Sequence, residues 1–240
     1  KKNSITIILK KENEYTEFSL SEEKNIRLQN LMKNLHIWGR LNSINVQKVL
    51  WLCEDLKIPF ERTDAGMQFG VNKTLPFLQL NPNGLVPVIK DNEFVLWESH
   101  AILRYLSKKH DVTDTFYPKS AHQSAKIDQW LDWYNTTAWP VMRPLFWGFI
   151  RTKPEERNLA ELEKTRVQMS SILNILDYQL KSSTWVAGDH FTIADLPLAL
   201  IAFRWFNLPI EREEYQHLSR WFKQIELRPG YSKYASAPLT

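Results

Sequence analysis

Hydrophobic positions recur with different periods in the two halves of this chain of 240 residues. Between about residues 35 and 110, short apolar runs alternate with segments in which apolar residues recur every three or four positions. The runs predict strands at 35–38, 60–63, from 86 onward and at 94–97, and the periodic segments predict helices at 43–56, 74–80 and 98–110. Strands that alternate with helices in this way predict an α/β domain.

Beyond Pro118 the strand pattern nearly disappears and long segments of helical period follow. Residues 121–135 and 156–181 each carry an apolar face; the residues on these two faces are Ile127, Trp130, Leu131 and Tyr134, and Leu162, Val167, Met169, Ile172, Leu173, Ile175 and Leu176. An α/β half followed by an all-helical half predicts two domains, 35–112 and 121–240. Residues 1–34 are polar with a weak period, and we expect an N-terminal extension with a helix over 22–32.

Thr192 and Asp195 have the spacing of a capping box at the start of a helix, with Asp in place of the more common Glu. Phe191 and Leu196 occupy the two positions of a hydrophobic staple, and the apolar segment that follows predicts an almost completely buried helix. We therefore expect a structural role for Thr192 and Asp195, and a loss of about 1 kcal/mol of folding free energy for each lost cap.

The segment 81–88 combines a turn-forming Asn-Pro-Asn-Gly sequence with an apolar strand pattern that contains Pro87. Proline cannot donate a hydrogen bond to a sheet ladder, so an unpaired strand edge is predicted beside it. Glu98 and Ser99 lie where the next helix begins. Such a site is suited to a small peptide with charged ends: the strand edge pairs with its main chain, the helix N–H groups and Ser99 hold a carboxylate, and Glu98 holds an ammonium group.

The run NPNGLVPVIKDNEFVLWESHAILRYL, from residue 81 to residue 106, resembles the glutathione-binding half of the glutathione S-transferase family. The resemblance extends from about residue 35 to the last residue, and GDHFTIADLPLA at 188–199 resembles the capping box of the family's helical domain. It implies a thioredoxin-like domain followed by a helical-bundle domain, a cis bond before Pro87, and a homodimer. It also implies an enzyme that conjugates the thiolate of glutathione, as co-substrate, to an apolar electrophilic small molecule, with peroxidase activity as a side reaction.

The segment NSINVQKVLW resembles the serine-type members of that family, theta-like and bacterial, and assigns the catalytic position to Ser43 with Asn45 as a second donor. A free thiol has a pKa near 8.5, so lowering it by about two units takes roughly 2.7 kcal/mol. A hydrogen bond to a charged group, worth roughly 1.5–3 kcal/mol, and a helix N-terminus could supply this. The alternative is that Ser43 only caps the helix.

Six positions match the family's glutathione-binding residues: Asn72, Lys73, Leu85, Val86, Glu98 and Ser99. The resemblance implies that Asn72 and Lys73 bind the glycyl carboxylate, and that the backbone N–H and C=O of Val86 bind the cysteinyl part. Leu85 replaces a lysine of several theta-like members, so only its backbone could contribute. Glu98 and Ser99 are expected to hold the γ-glutamyl end. The alternatives are an ordinary surface lysine at Lys73, and a helix cap and a carboxylate favoured by the helix dipole at Glu98 and Ser99.

For the second substrate, the resemblance implies a pocket between the domains, and we assign Trp38, Arg143 and Trp147 to it. The neighbouring bulky residues are Trp139, Met142, Phe146 and Phe149. An aromatic pocket suits an apolar electrophile, and a cation at Arg143 could stabilise an anionic transition state or second substrate. The alternative is that these large side chains at helical spacing form core.

Composition limits the possible classes of function. The net charge is +4, but the basic residues are scattered and form no stripe, which argues against nucleic-acid binding. Cys53 is the single cysteine, so no internal disulfide is possible. No apolar run approaches the roughly 20 residues that a membrane span needs. We therefore expect a cytoplasmic protein. Neither metal-ligand spacing among the six histidines nor a glycine-rich phosphate loop occurs, so we expect no metal and no nucleotide site.

Two other functions remain open at this point. A protein of this fold could bind glutathione or a partner without catalysis, because fold does not determine function. A glutathione-dependent isomerase or dehalogenase would use the same site and differ in its second substrate.

Overall fold

The computed structural model describes residues 6–11, 14–19 and 35–240. In the N-terminal extension, β1 (Thr6–Lys11) and β2 (Glu14–Ser19) pair as an antiparallel hairpin. The sequence predicted no strands here, because six residues are too few for a period of two to stand out among charged neighbours. The helix predicted over 22–32 lies outside the described residues.

One four-stranded mixed sheet forms the centre of the α/β half. Its strands are β3 (Leu35–Trp38), β4 (Glu61–Thr63), β5 (Val88–Asp91) and β6 (Phe94–Trp97), in the order β4-β3-β5-β6. Strand β3 pairs parallel with β4 and antiparallel with β5, and β5 pairs antiparallel with β6. The helices of this half are α1 (Ile44–Asp55), α2 (Leu75–Leu80) and α3 (Ser99–His110). The predicted elements of this half are therefore confirmed, and so is the fold.

Strand β5 begins at Val88, two residues later than predicted, because Pro87 has no N–H to donate to the ladder. The bond between Val86 and Pro87 is cis, as the resemblance implied. The prediction of an unpaired strand edge beside Pro87 is wrong, since β5 lies inside the sheet between β3 and β6. Val86 instead lies just before the N-terminal end of an interior strand.

The second half is helical. Its helices are α4 (Ala121–Trp133), α5 (Trp139–Phe146), α6 (Leu159–Ser182), α7 (Asp195–Asn207), α8 (Gln216–Glu226) and α9 (Pro229–Tyr234). Two π-helical segments, Tyr134–Ala138 and Trp147–Arg151, flank α5. Of the predicted apolar face of α6, Val167 and Ile175 are about half exposed, at 50% and 51%. The predicted domain boundaries themselves stay a prediction.

Asp55 joins the two halves. Its carboxylate accepts hydrogen bonds from Trp51 in its own helix α1, and from Arg228 and the Gly230 N–H at the start of α9. A Cβ atom at Gly230 would lie 2.7 Å from the backbone oxygen of Trp51. Since real Cβ atoms do not approach so closely, only glycine allows α9 to pack this tightly against α1.

The buried carboxylate of Asp195 organises the start of α7. The capping box is present in modified form: the Thr192 N–H donates to Asp195 Oδ2 at 2.9 Å, and the Thr192 hydroxyl accepts from the Ala194 N–H at 3.3 Å. In addition, Asp195 Oδ1 accepts from the Val186 N–H at 3.0 Å and from Trp221 Nε1 at 2.9 Å. Asp195 therefore also ties a loop and helix α8 to α7, which the local sequence pattern did not predict.

Candidate active site

A cavity of about 440 Å³ lies between the sheet half and the helical half. The predicted site residues that line it are Ser43, Asn45, Asn72, Leu85, Val86, Pro87, Glu98, Ser99, Arg143 and Trp147. Tertiary folding thus brings together four segments of the sheet half and one of the helical half. Lys73 is exposed and does not line the cavity. Trp38 does not line it either: it packs against the small core cluster of Ala65, Phe77 and Val88, so its assignment to the pocket is wrong.

Ser43 occupies the N-cap position of α1 and is buried, with 7% of its surface exposed. Its side chain makes no capping hydrogen bond, and its hydroxyl has no hydrogen-bond partner among the described residues. The absence of this hydrogen bond argues against the alternative in which Ser43 only caps the helix. A hydroxyl donor at the positive end of a helix is left available to a ligand in the cavity.

Lys48, which the sequence analysis did not select, lies beneath this wall with no exposed surface. Its Nζ lies 2.9 Å from Asn45 Oδ1, 3.3 Å from Ser99 Oγ and 3.1 Å from His100 Nε2. It also lies 3.9 Å from the centre of the Tyr134 ring. Among the described residues, no carboxylate oxygen lies within 4.0 Å of this ammonium group. The available signal was a lysine inside a helix, followed directly by the apolar run from Val49 to Leu52.

Burial lowers the pKa of Lys48 well below its ordinary value, and the nearby positive charge of Arg204 lowers it further. Burial and the charge of Lys48 likewise lower the pKa of His100, so this imidazole is neutral and can accept a hydrogen bond. In either protonation state the N–H groups of Lys48 donate to Asn45 Oδ1 and Ser99 Oγ, so both oxygens act as acceptors toward it. The amide NH₂ of Asn45 and the hydroxyl hydrogen of Ser99 then remain as donors for the cavity.

The loop before β5 is held by two buried amides. Asn72 Nδ2 donates to the Gly84 carbonyl at 2.6 Å, and Asn81 Nδ2 donates to the Leu85 carbonyl at 2.9 Å. Asn72 was predicted to bind a glycyl carboxylate; in the structure it supports this loop. The N–H and C=O of Val86 have no hydrogen-bond partner among the described residues. The loop therefore presents one free donor and one free acceptor of the main chain to the cavity.

Glu98 precedes α3 with a backbone φ of +72°, in the region that favours glycine. A non-glycine residue in such a conformation costs of order 1–3 kcal/mol and is often found at ligand sites. Glu98 makes no side-chain cap, and its carboxylate is exposed to the cavity. The alternative role as a helix cap is therefore not what the structure shows.

The helical half contributes six residues to the cavity: Trp139, Arg143, Phe146, Trp147, Arg151 and Arg204. The first four follow the spacing of one helix face, which explains why the sequence could predict part of this wall. Met142 is fully buried in the core and Phe149 packs against it, so for these two the core alternative is correct. Arg151 continues the spacing of Arg143 and Trp147 along the same face but was not selected, whereas Arg204 was missed because it comes from α7, another segment of the chain.

Comparison with known proteins matches both halves to family models. The model described as Glutathione S-transferase, N-terminal domain, covers residues 33–108, and the one described as Glutathione S-transferase, C-terminal domain, covers residues 138–229. The chain belongs to the glutathione S-transferase family. The predicted family and enzyme class, a glutathione transferase, are thereby confirmed, and neither of the alternative functions is favoured.

Two curated relatives of this glutathione S-transferase support the assignment. It is 36% identical over 206 residues to glutathione S-transferase GstB of Escherichia coli strain K12, covering 85% of this chain and 99% of the relative. It is 31% identical over 195 residues to glutathione S-transferase theta-3 of Mus musculus, covering 75% and 77%.

A solved structure supports the same family assignment as these two relatives. This transferase superimposes with a TM-score of 0.83, at 38% identity, on the theta class glutathione S-transferase of Xanthomonas axonopodis pv. citri with glutathione bound. The superposition covers 87% of this chain and all of the other. The predicted likeness to theta-like and bacterial members is confirmed.

Proposed function

We propose that this chain binds glutathione in the cavity with its sulfur at Ser43, and transfers the thiolate to an electrophilic carbon of a second small molecule. The observation that carries the proposal is the set of free polar groups around one cavity: the Ser43 hydroxyl and both main-chain groups of Val86 lack partners among the described residues. A tripeptide can satisfy all of them at once. Val86 pairs with its cysteinyl main chain, as in strand addition.

The charged ends of the tripeptide have matching groups. The Ser99 hydroxyl and the first N–H groups of α3 suit the γ-glutamyl carboxylate, and the Glu98 carboxylate suits the γ-glutamyl ammonium. Lys73 stays our proposal for the glycyl carboxylate; its Nζ lies 3.8 Å from where a Cβ atom of Gly84 would be, beside the binding loop. Leu85 contributes only its backbone.

The chemistry requires a thiolate near neutral pH. Ser43 donates its O–H to the sulfur, Asn45 donates through its NH₂, and the N-terminus of α1 adds a positive potential. The sulfur then forms a bond to the electrophilic carbon while the leaving group departs with its electron pair, and the thiol proton passes to solvent. Holding both reactants in one cavity supplies much of the rate.

Titration of the bound thiol tests the proposal. The ultraviolet absorbance of the thiolate, followed against pH in the enzyme–glutathione complex, should give a pKa about two units below the value near 8.5 of a free thiol. Conjugation of glutathione to 1-chloro-2,4-dinitrobenzene, assayed with the same preparation, should exceed the uncatalysed rate. A bound thiol as weakly acidic as in buffer would contradict the assignment of Ser43.

Lys48→Met should weaken glutathione binding without weakening the fold. Loss of the ammonium frees the Asn45 amide and the Ser99 hydroxyl to rotate, so KM for glutathione should rise about tenfold, with a smaller change in kcat. Because the lysine is buried without a carboxylate partner, an apolar side chain of similar volume should leave the free energy of unfolding unchanged or higher. The exposed Lys181→Met on α6 is the control, and an unchanged KM in Lys48→Met would contradict this role.

The remaining assignments are proposals from the family. We propose a homodimer in the cytoplasm with a role in detoxification.

In the described part of the chain, no helix has the length and apolar character to cross a bilayer. Residues 35–240 and the hairpin contain no group of three His, Cys, Asp or Glu side chains that could hold a metal ion. That no metal takes part stays a prediction.

A further inference from the structure

Three arginines of the helical half line the cavity without an Asp or Glu partner: Arg143, Arg151 and Arg204. Elsewhere in the described structure, four arginines form ion pairs with Asp or Glu: Arg62, Arg104, Arg166 and Arg228. The three cavity arginines have no Asp or Glu oxygen within 4.0 Å among the described residues, and Arg151 donates to the main-chain oxygen of Thr240 at 3.1 Å. The cavity wall therefore carries positive charge that no Asp or Glu side chain of the described residues neutralises.

Arg204 is the most buried of these cations, with 3% of its surface exposed. Its two terminal nitrogens donate to the Leu200 carbonyl at 3.0 Å and to Gln47 Oε1 at 3.3 Å, and its Nε has no partner among the described residues. Burial lowers the pKa of Arg204 to about 10, so it remains charged at neutral pH. A buried charge without a counterion is costly, and an anion in the cavity would remove part of that cost.

Aromatic rings alternate with these guanidinium groups. Arg143 and Arg151 lie over the Trp147 ring, with their Cζ atoms 5.8 Å and 4.9 Å from its centre. Arg204 lies 5.2 Å from the centre of the Phe146 ring. Guanidinium planes next to ring faces suit a flat aromatic ligand that carries a carboxylate, because such a ligand stacks on both and pairs with the fork of an arginine.

Glutathione does not account for these charges. In the proposed binding mode its carboxylates lie at the start of α3 and beside Gly84, and its sulfur lies at Ser43, all on the sheet half. Arg40 of the sheet half also lines the cavity. Even if Arg40 binds the glycyl carboxylate, the three arginines of the helical wall remain. Glu98 is the one carboxylate among the described residues that line the cavity, and the glutathione ammonium occupies it.

We infer that the second substrate is an aromatic electrophile bearing a carboxylate or another anionic group, which pairs with Arg143, Arg151 and Arg204 and stacks on Trp147. The inference rests on the proposed function and refines the apolar electrophile expected from the sequence. In a nucleophilic aromatic substitution, the glutathione sulfur bonds to the ring carbon that carries chlorine. The C–Cl bond then breaks, and chloride leaves with the electron pair. The same wall stabilises the negative charge that the ring gains on attack.

A matched pair of electrophiles tests the inference. The probes are 4-chloro-3,5-dinitrobenzoate, an anion at pH 7, and its neutral methyl ester. After division by the uncatalysed rate with glutathione, kcat/KM for the acid should exceed that for the ester at least about tenfold. The preference should shrink as salt is added, because salt screens exposed charges.

Single-site variants locate the effect. Arg143→Gln and Arg151→Gln should each reduce the acid-to-ester preference about fivefold or more. Lys164→Gln removes the same charge from the exposed face of α6 and should leave the preference unchanged. Calorimetric binding of the two purified glutathione conjugates should show the same order, independently of turnover.

The outcomes separate the two proposals. If neither of these compounds nor 1-chloro-2,4-dinitrobenzene is conjugated above the uncatalysed rate, the proposed function fails. If only 1-chloro-2,4-dinitrobenzene is conjugated, the anionic substrate is wrong while the transferase stands. If the ester is conjugated but the acid is not preferred, or the preference persists in both arginine variants, the anionic substrate is wrong while the transferase stands. Equal binding of the two conjugates would also overturn it.

Discussion

Asp195→Asn is expected to lower the free energy of unfolding by about 2–6 kcal/mol, because two buried donors lose their acceptor at about 1–3 kcal/mol each. All four partners of this carboxylate are donors: the N–H groups of Val186 and Thr192, the Thr192 hydroxyl and Trp221 Nε1. Asparagine keeps one acceptor oxygen and places an NH₂ group against the other donors. The expected loss exceeds the value of about 1 kcal/mol for a helix cap alone.

Chemical denaturation with urea at pH 7.5 measures this loss. Asp189→Asn, in the exposed loop just before α7, is the matched control and should change stability by less than about 0.5 kcal/mol. Burial raises the pKa of Asp195 to about 6, so its carboxyl is ionised at pH 7.5. An unfolding free energy within experimental error of the wild type would show that the four hydrogen bonds do not hold α7.

The pH dependence provides a second readout for the same variant. The folded pKa of Asp195 lies above the value near 3.9 of an unfolded chain. The stability that this group contributes is therefore fully present below about pH 3.9 and is lost as the pH rises through about 6. The Asn variant should lack this part of the pH dependence.

Ser43→Ala is expected to return the pKa of bound glutathione toward 8.5 and to reduce kcat/KM at pH 6.5 about 10- to 150-fold, since a hydrogen bond to a charged group is worth roughly 1.5–3 kcal/mol. The loss should shrink above pH 8.5, where the thiol ionises without help. Ser43→Thr keeps the hydroxyl and should retain most of the activity. Steady-state kinetics against pH, with the thiolate absorbance, measure both effects.

Stability separates the catalytic role of Ser43 from a structural one. Because its side chain makes no capping hydrogen bond, Ser43→Ala should leave the unfolding free energy nearly unchanged. A residue that mainly caps α1 would lose about 1 kcal/mol instead. Reduced stability together with an unaltered thiol pKa would assign Ser43 to the helix and remove it from the chemistry.

The active site could be predicted in part because several of its features are local. The turn before Pro87, the polar pair that opens α3 and the serine that opens α1 are each defined by neighbouring residues in the sequence. Arg143 and Trp147 are also local in the sequence, because they are four residues apart and so lie on one face of a helix. Segments with such clear patterns lie where they were predicted, within two residues.

The contacts that the sequence could not predict have one common cause. Trp38 was assigned to the pocket but packs against the cluster of Ala65, Phe77 and Val88, and the amide of Asn72 also holds the Gly84 carbonyl. That Asn72 binds the glycyl carboxylate stays a prediction. Lys48 is separated from Ser99 by 51 residues, and Gln47 from Arg204 by 157. Hydrophobic periodicity within one segment cannot predict a contact between residues so far apart in the chain.

By itself, the sequence determined the order of helices and strands, the proline before β5, the Thr192–Asp195 motif and the family, because each depends on residues close together in the chain or on a continuous motif. Only the tertiary structure decided that a buried lysine orients two donors of the site and that three arginines without Asp or Glu partners share one wall. The physical reason is that the energy of a charge depends on its surroundings: whether Lys48 or Arg204 meets water, a carboxylate or an aromatic ring is determined by distant segments that pack around it.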